Sequence, residues 1–272
     1  MKTKFDNLQN CGNDGKPLIV ITNDDGVDAK GFASLIEALQ PYGDILAIAP
    51  DSGKSGMSHA LTFKQPVRMH CIEHSERLRI FKLSGTPVDC VKMALDRLID
   101  RKPALLVSGI NHGANSSISS IYSGTVAAAR EGGLNGIPSV AFSSLDFSSD
   151  AEFRPFIPYI KAVVDNIFAK GIMPNTFLNV NFPHQDIENI KGIKACRQAK
   201  GVWVEEFLRR EDPLGLEYFW LTGYFSNHEP DATDTDEYWL TQNYITLVPI
   251  MIEVTANEAI HKLQSWETGN KA

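Results

Sequence analysis

Four short apolar runs punctuate the first half of the chain without alternating: Leu18-Ile19-Val20-Ile21, Ile45-Leu46-Ala47-Ile48-Ala49, Ala104-Leu105-Leu106-Val107 and Ser139-Val140-Ala141-Phe142. A strand covered on both faces has no polar side to display, so such runs predict buried strands. Segments with helical spacing lie between them. Gly31 to Gln40 puts Phe32, Leu35, Ile36 and Leu39 on one stripe and stops at Pro41 and Gly43. Thr86-Pro87-Val88-Asp89 reads as a helix start, with Thr86 at N-cap, Pro87 at N1 and Asp89 at N3. The pattern carries that helix to about Arg101. Ser123-Gly124-Thr125 opens another, through about Glu131. A helix over 156–169 and a strand over 177–180 complete the alternation. Strands alternating with helices predict an α/β fold: a three-layer α/β/α, mostly parallel, Rossmann-like sheet with right-handed crossovers.

The character changes after Pro183. β-prone stretches at 202–207, 218–224 and 244–248 are divided by Pro and Gly, and 256–266 reads as a last short helix. Residues 61–63, 67–71 and 79–83 are also β-prone. The chain thus divides into a polar extension over 1–16, an α/β/α core over 17–183, and a C-terminal β-hairpin and oligomerisation region over 184–272. The acidic stretch 231–237 lacks the glycine and the closing glutamate of a calcium loop and reads as a solvated loop.

Composition adds exclusions. The 272 residues are 43% hydrophobic and 22% charged, which is ordinary for a globular protein. The net charge of −7 argues against a general nucleic-acid binder, which needs Lys and Arg for phosphates. No apolar run approaches a membrane span, and residues 1–17 hold no apolar targeting segment, so the expectation is a cytoplasmic protein without a membrane partner. The four cysteines, Cys11, Cys71, Cys90 and Cys196, are scattered and read as reduced thiols.

Ligands of such sheets bind where the strands end at their carboxyl side, which selects the loops after Ile21, Ala49, Val107 and Phe142. The first holds Thr22-Asn23-Asp24-Asp25-Gly26. Adjacent carboxylates repel unless a cation or proton sits between them, so the pair is either a hard-cation site or an Asx-type turn. The alternation Asp-x-Asp of one phosphatase class is absent. So are the phosphorylatable aspartate that a receiver domain carries after its third strand and a dinucleotide-binding Gly-x-Gly-x-x-Gly. Gly53-Lys54-Ser55 imitates the end of a P-loop, but Ile48 stands where its first glycine is needed. After Val107 comes Ser108-Gly109-Ile110-Asn111-His112-Gly113-Ala114-Asn115. Asp24, Asp25, Ser55 and Asn111 therefore come from three loops on one sheet edge and make an all-oxygen set, which favours Mg²⁺ or Mn²⁺ over zinc. The start of the helix at Ser123, Gly124 and Thr125 offers free N–H groups for phosphate, or plain N-capping. His59 and His112 are further candidates in these loops.

These segments, with Ala49-Pro50-Asp51, Ser84-Gly85-Thr86-Pro87-Val88-Asp89-Cys90 and Ser123-Gly124-Thr125-Val126, resemble the survival protein SurE family, in its order and at similar spacing over roughly residues 17–255. The resemblance implies a metal-dependent nucleotidase that removes phosphate from nucleoside 5′- and often 3′-monophosphates, in some members also from short polyphosphate. It implies a C-terminal hairpin exchanged within a homodimer or homotetramer, and one divalent cation per subunit. The family's metal ligands fall on Asp24, Asp25, Ser55 and Asn111, with Asp24 and Asp25 catalytic. Phosphate is expected against Asn111, Ser123, Gly124 and Thr125. The late segment Asn243-Tyr244-Ile245-Thr246-Leu247-Val248-Pro249-Ile250 departs from the family pattern. A phosphatase of other specificity and a non-catalytic nucleotide sensor on the same fold are the competing readings.

Overall fold

The computed structural model describes residues 15–148, 150–184 and 187–269. The extension expected over 1–16 therefore lies almost wholly outside the described residues. The first apolar run is β1 (Leu18–Thr22), followed by α1 (Lys30–Leu39), β2 (Asp44–Pro50), the hairpin β3 (Met69–His74) and β4 (Leu78–Leu83), and α2 (Pro87–Met93). Then come β5 (Leu105–His112), the short α3 (Ser119–Tyr122), α4 (Gly124–Leu134), β6 (Ser139–Ser144), α5 (Ile157–Lys170) and β7 (Thr176–Phe182). The remainder is β8 (Ile193–Ala195), β9 (Gly201–Val204), β10 (Phe207–Glu211), β11 (Glu217–Leu221), β12 (Tyr224–Asn227), α6 (Asp236–Thr241), β13 (Ile245–Met251) and α7 (Asn257–Leu263).

Nine strands form one sheet in the order β3-β4-β2-β1-β5-β6-β7-β13-β8. The pairings from β4 through β7 are parallel, whereas β3 and β13 run antiparallel to their neighbours β4 and β7. Successive residues of β1 serve opposite faces, as the strand period requires. Ile19 and Ile21 pack with Phe32, Leu35, Ile160 and Val164 of α1 and α5. Leu18 and Val20 pack with Val91 and Ala128 of α2 and α4. Burying such a side chain stabilises the fold by about 1.5–3 kcal/mol, so each strand of the core anchors both outer layers. From β1 the chain builds outward through β2 and β4, then returns to β5 on the other side of β1. The gap between β1 and β5 is therefore the switch point of the sheet, where ligands bind at the carboxyl ends.

The structure differs from the sequence expectation at four places. Residues 61–63 form no strand: Thr62 instead donates its hydroxyl to Asp89 Oδ2 at 2.6 Å. Helix α2 ends at Met93 and widens to a π turn over Ala94–Leu98, well short of Arg101. The buried Arg79 of β4 caps that end by donating to Leu98 O at 2.9 Å. The chain after Pro183 returns to the core sheet, because β8 and β13 extend it beyond β7. Only β9 to β12 leave it, as two antiparallel pairs, β9 with β12 and β10 with β11, forming a single arm. Finally, 231–237 is not all solvated loop. Thr235 caps α6, and the carboxylate of the buried Asp236 accepts the backbone N–H groups of Ser117 and Ala199 at 2.8 Å each.

The connection between β2 and β3 is long and irregular, and one of its anchors is the Glu131 carboxylate of α4, which also meets Lys92 of α2. His59 Nε2 meets Glu131 Oε2 at 2.9 Å and Lys92 Nζ meets Glu131 Oε1 at 2.8 Å. Burial alone would raise the Glu131 carboxyl, but the bonds from His59 and Lys92 outweigh it and hold the group below its ordinary value. A carboxylate whose folded value is depressed contributes stability above its unfolded value, near 4.5, which is lost as pH falls through the depressed one. Glu131→Gln should lower unfolding free energy by about 1–2 kcal/mol at pH 7, after allowance for the solvent-exposed Lys92. The gap to wild type should close below pH 4 in denaturant titrations; a gap independent of pH would contradict the ion-pair account.

Candidate active site

Strand β1 delivers Asp24 and Asp25 to the switch point. The turn is built by Asn23, whose Nδ2 donates to Gly26 O at 2.8 Å while its Oδ1 accepts Gly26 N–H at 3.3 Å. Asn23 therefore takes the turn-making role, which leaves both carboxylates available. Asp24 is 3% exposed. Burial, and then the charge of Asp25, push its carboxyl up to about 6, against opposing bonds from the Thr125 hydroxyl and N–H. Asp25 is also raised by burial, and is opposed by the His112 N–H, which reaches its Oδ2 at 3.1 Å.

The helix start meets this pair directly. Thr125, fully buried, donates its hydroxyl in a short bond to Asp24 Oδ1. Ser123 Oγ accepts Val126 N–H at 3.1 Å as the N-cap of α4. A Cβ built on Gly124 would lie 3.0 Å from Asp24 Cβ, so glycine lets the helix come this close. The anion at the positive end of α4 is thus in the first place Asp24 itself. Thr125, read from sequence as open to phosphate, turns its hydroxyl and N–H to Asp24, and the Ser123 hydroxyl serves the cap, so the Ser123 and Gly124 N–H groups lie outside these bonds.

Asn111 sits near the end of β5, after a register shift between Ser108 and Asn111 in its pairing with β6. Its Nδ2 donates to His112 O at 3.2 Å and Gly113 O at 2.7 Å. Those bonds fix the amide orientation and leave Oδ1 as the acceptor free for a ligand. Ser55 is exposed, and its loop is tied to the pair by Lys54, whose N–H donates to Asp24 O at 2.7 Å. The same loop is held by Ser58, bonded to Ile121 O and Tyr122 O, and by Ala60 O, which accepts the Thr86 hydroxyl. The capping box of Thr86 and Asp89 therefore positions the Ser55 loop as well as starting α2. His59 and His112 also act as struts: His59 on Glu131, and His112 by its N–H on Asp25 and its ring Nδ1 on Ser148 O.

Among the described residues no group of three or more His, Cys, Asp and Glu gathers as a metal cluster. The candidate set supplies two carboxylates, one hydroxyl and one amide oxygen. Two adjacent carboxylates, both raised by burial and one further raised by the charge of the other, with an amide oxygen on the neighbouring strand end, are a donor set suited to a hard divalent cation. Glu131, Asp236 and Asn181 were not singled out from sequence. Asn181 Oδ1 accepts Asn115 N–H at 2.8 Å and Asn179 Nδ2 donates to Asn115 O at 2.8 Å, which fixes the loop after β5. Their sequence signal is a pair of asparagines, Asn179 and Asn181, at alternate positions of an otherwise apolar strand.

The model of the family described as survival protein SurE matches residues 19–205. A 5′-nucleotidase SurE of Flavobacterium psychrophilum is 47% identical over 253 residues, covering 93% of this chain and 98% of that protein. The 5′-nucleotidase SurE of Phocaeicola vulgatus is 43% identical over 251 residues, covering 92% and 97%. The crystal structure of the SurE protein from Aquifex aeolicus superposes with a TM-score of 0.78 at 33% identity, over 93% of this chain and all of that one.

The Asp24 carboxyl carries a pH prediction. With its folded value near 6 and an unfolded value near 3.8, the cation-free fold binds the extra proton between those values. Stability should therefore fall as pH rises through that window, by at most ~3 kcal/mol. Asp24→Asn should flatten this part of the profile in EDTA, and Thr125→Val should move the Asp24 titration upward by NMR. An unchanged titration in Thr125→Val would show that the hydroxyl bond is not made in solution.

Proposed function

The chain belongs to the SurE family, and on that premise we propose that it is a 5′-nucleotidase, a phosphoric monoester hydrolase that converts nucleoside 5′-monophosphates, and 3′-monophosphates beside them, to nucleoside and phosphate. Its cofactor in this reading is one divalent cation per subunit, Mg²⁺ or Mn²⁺. The observation that carries the reading is the adjacent carboxylates of the buried Asp24 and the half-buried Asp25 at the switch point of the sheet, with Asp24 joined to the start of α4 through Thr125.

Asp24, Asp25, Ser55 and Asn111 would hold the cation. When bound, it supplies the positive charge that phosphoryl oxygens need as the ester bond breaks. Thr125 and the His112 N–H orient the two carboxylates, so that little side-chain reorganisation remains when substrate arrives. The Gly124 N–H is the group that would face phosphate, with Ser123 fixing the helix end beside it, whereas Asn111, its amide hydrogens bonded to His112 O and Gly113 O, would serve the cation. Trapping of an aspartyl-phosphate separates a carboxylate nucleophile from an attacking water.

The arm supports assembly as a homodimer or homotetramer. Phe207, Leu214, Leu216, Trp220 and Leu221 are all exposed along it, more apolar surface than a monomer ordinarily shows in one place. Cys71, Cys90 and Cys196 are free thiols, which fits a reducing compartment such as the cytoplasm. Among the described residues no helix is long and apolar enough to cross a membrane.

The test is phosphate release from a panel of nucleoside 5′- and 3′-monophosphates with Mg²⁺, Mn²⁺ or EDTA. Release should require the cation. Asp24→Asn should reduce turnover by roughly 100-fold or more, since even supporting residues of metal sites cost 10- to 100-fold. Near-normal turnover by that variant, or release undiminished by EDTA, overturns the assignment.

A further inference from the structure

An aromatic ring that the polar network does not use is seated at Gly113, one residue after the His112 N–H that holds Asp25. Phe147 lies on the loop after β6 and is 77% exposed. Single exposed apolar side chains are common and need no explanation, but this one is held in a defined place. Its ring edge rests against the backbone of Gly113, where an added Cβ would fall 2.2 Å from Phe147 Cε1. The loop beneath it is pinned on both sides. Leu145 N–H donates to Phe182 O at 3.0 Å, Ser148 N–H to Asp146 Oδ1 at 2.8 Å, and the His112 ring Nδ1 to Ser148 O at 3.2 Å. Residues 111–113 thus carry three things in a row: the amide of Asn111, the N–H that holds Asp25, and the seat of the phenyl ring.

We propose that Phe147 is the surface on which the nucleobase of the substrate stacks. This rests on the nucleotidase reading of the same site. A nucleotide anchored by its phosphate in the oxygen cage must project its sugar and base outward over the strand ends. The base then needs an apolar face, and a rigidly seated aromatic ring supplies one. Every base has a π face, so stacking of this kind favours nucleotides over sugar phosphates that lack a base, without choosing strongly among bases.

The experiment compares AMP with ribose 5-phosphate, which keeps the phosphate and sugar and lacks the base. Wild type should show the lower KM for AMP. Phe147→Ala should raise KM for AMP by about 5- to 30-fold, leaving kcat and the ribose 5-phosphate parameters unchanged, and Phe147→Tyr should restore the AMP value. Equal shifts for the two substrates, or no shift for AMP, overturn the proposal. So does a change in oligomeric mass of Phe147→Ala, which would make the ring a subunit contact. The two failures are distinct: wild type that releases phosphate from AMP while Phe147→Ala matches it defeats only the stacking surface. Wild type that releases none from any nucleotide defeats the nucleotidase reading, and this one with it.

Discussion

Holding two neighbouring carboxylates, one buried and one half-buried, at the end of a central strand is the constraint around which the rest of this molecule is arranged. Taking a carboxylate out of water costs several kcal/mol unless donors replace the lost hydration. Asp24 is nearly sealed from solvent and is raised to about 6. The donors that hold the pair are neutral: a threonine hydroxyl, two backbone N–H groups, and the N-terminal end of α4. Neutral donors orient a carboxylate without cancelling its charge. The repulsion between Asp24 and Asp25 is therefore retained in the fold, and a cation gains from both at once.

That arrangement requires loops of fixed shape, and the connection between β2 and β3 shows how it is achieved without regular structure. A long irregular segment in a compact domain is ordinarily mobile or functional. Here it is fastened to four different elements. Lys54 holds the turn after β1, Ser58 holds α3, His59 holds Glu131 of α4, and Ala60 with Thr62 holds the start of α2. Each bond is worth only about 1 kcal/mol. Their combined effect is positional: Ser55 is carried on a loop that cannot drift far from Asp24.

The parts legible in the sequence are those decided locally. β1, β2, β5 and β6 announce themselves because a strand buried on both faces must be apolar throughout. The start of α2 is legible because Thr86, Pro87 and Asp89 do their capping within four residues. The end of α2 is not, because it depends on Arg79 reaching Leu98 from a neighbouring strand. Residues 231–237 are polar whether solvated or buried, and only Ser117 and Ala199 distinguish the two cases for Asp236. Thr125 illustrates the same limit at the site. Its sequence context fits an open helix start, while its partner Asp24 lies 101 residues earlier. The residue types of the site could be gathered from sequence by assigning loops to one sheet edge. Their division into ligand, strut and seat depends on contacts that no local pattern encodes.

The C-terminal arm is less separate from this chemistry than its composition suggests. Asp236 divides its two oxygens between Ser117, downstream of Asn111 and Asn115, and Ala199, two residues before β9. Ser117 in turn donates its hydroxyl to Ala199 O at 2.9 Å, so the two loops are joined by three bonds within a buried patch. A single carboxylate thus braces both the loop beyond the switch point and the root of the arm. Apolar side chains displayed along β10 and β11 gain most when another surface covers them. The root of the arm and the loop after β5 therefore share one buried acid as a common anchor, as the loops at the strand ends share the pair at Asp24 and Asp25.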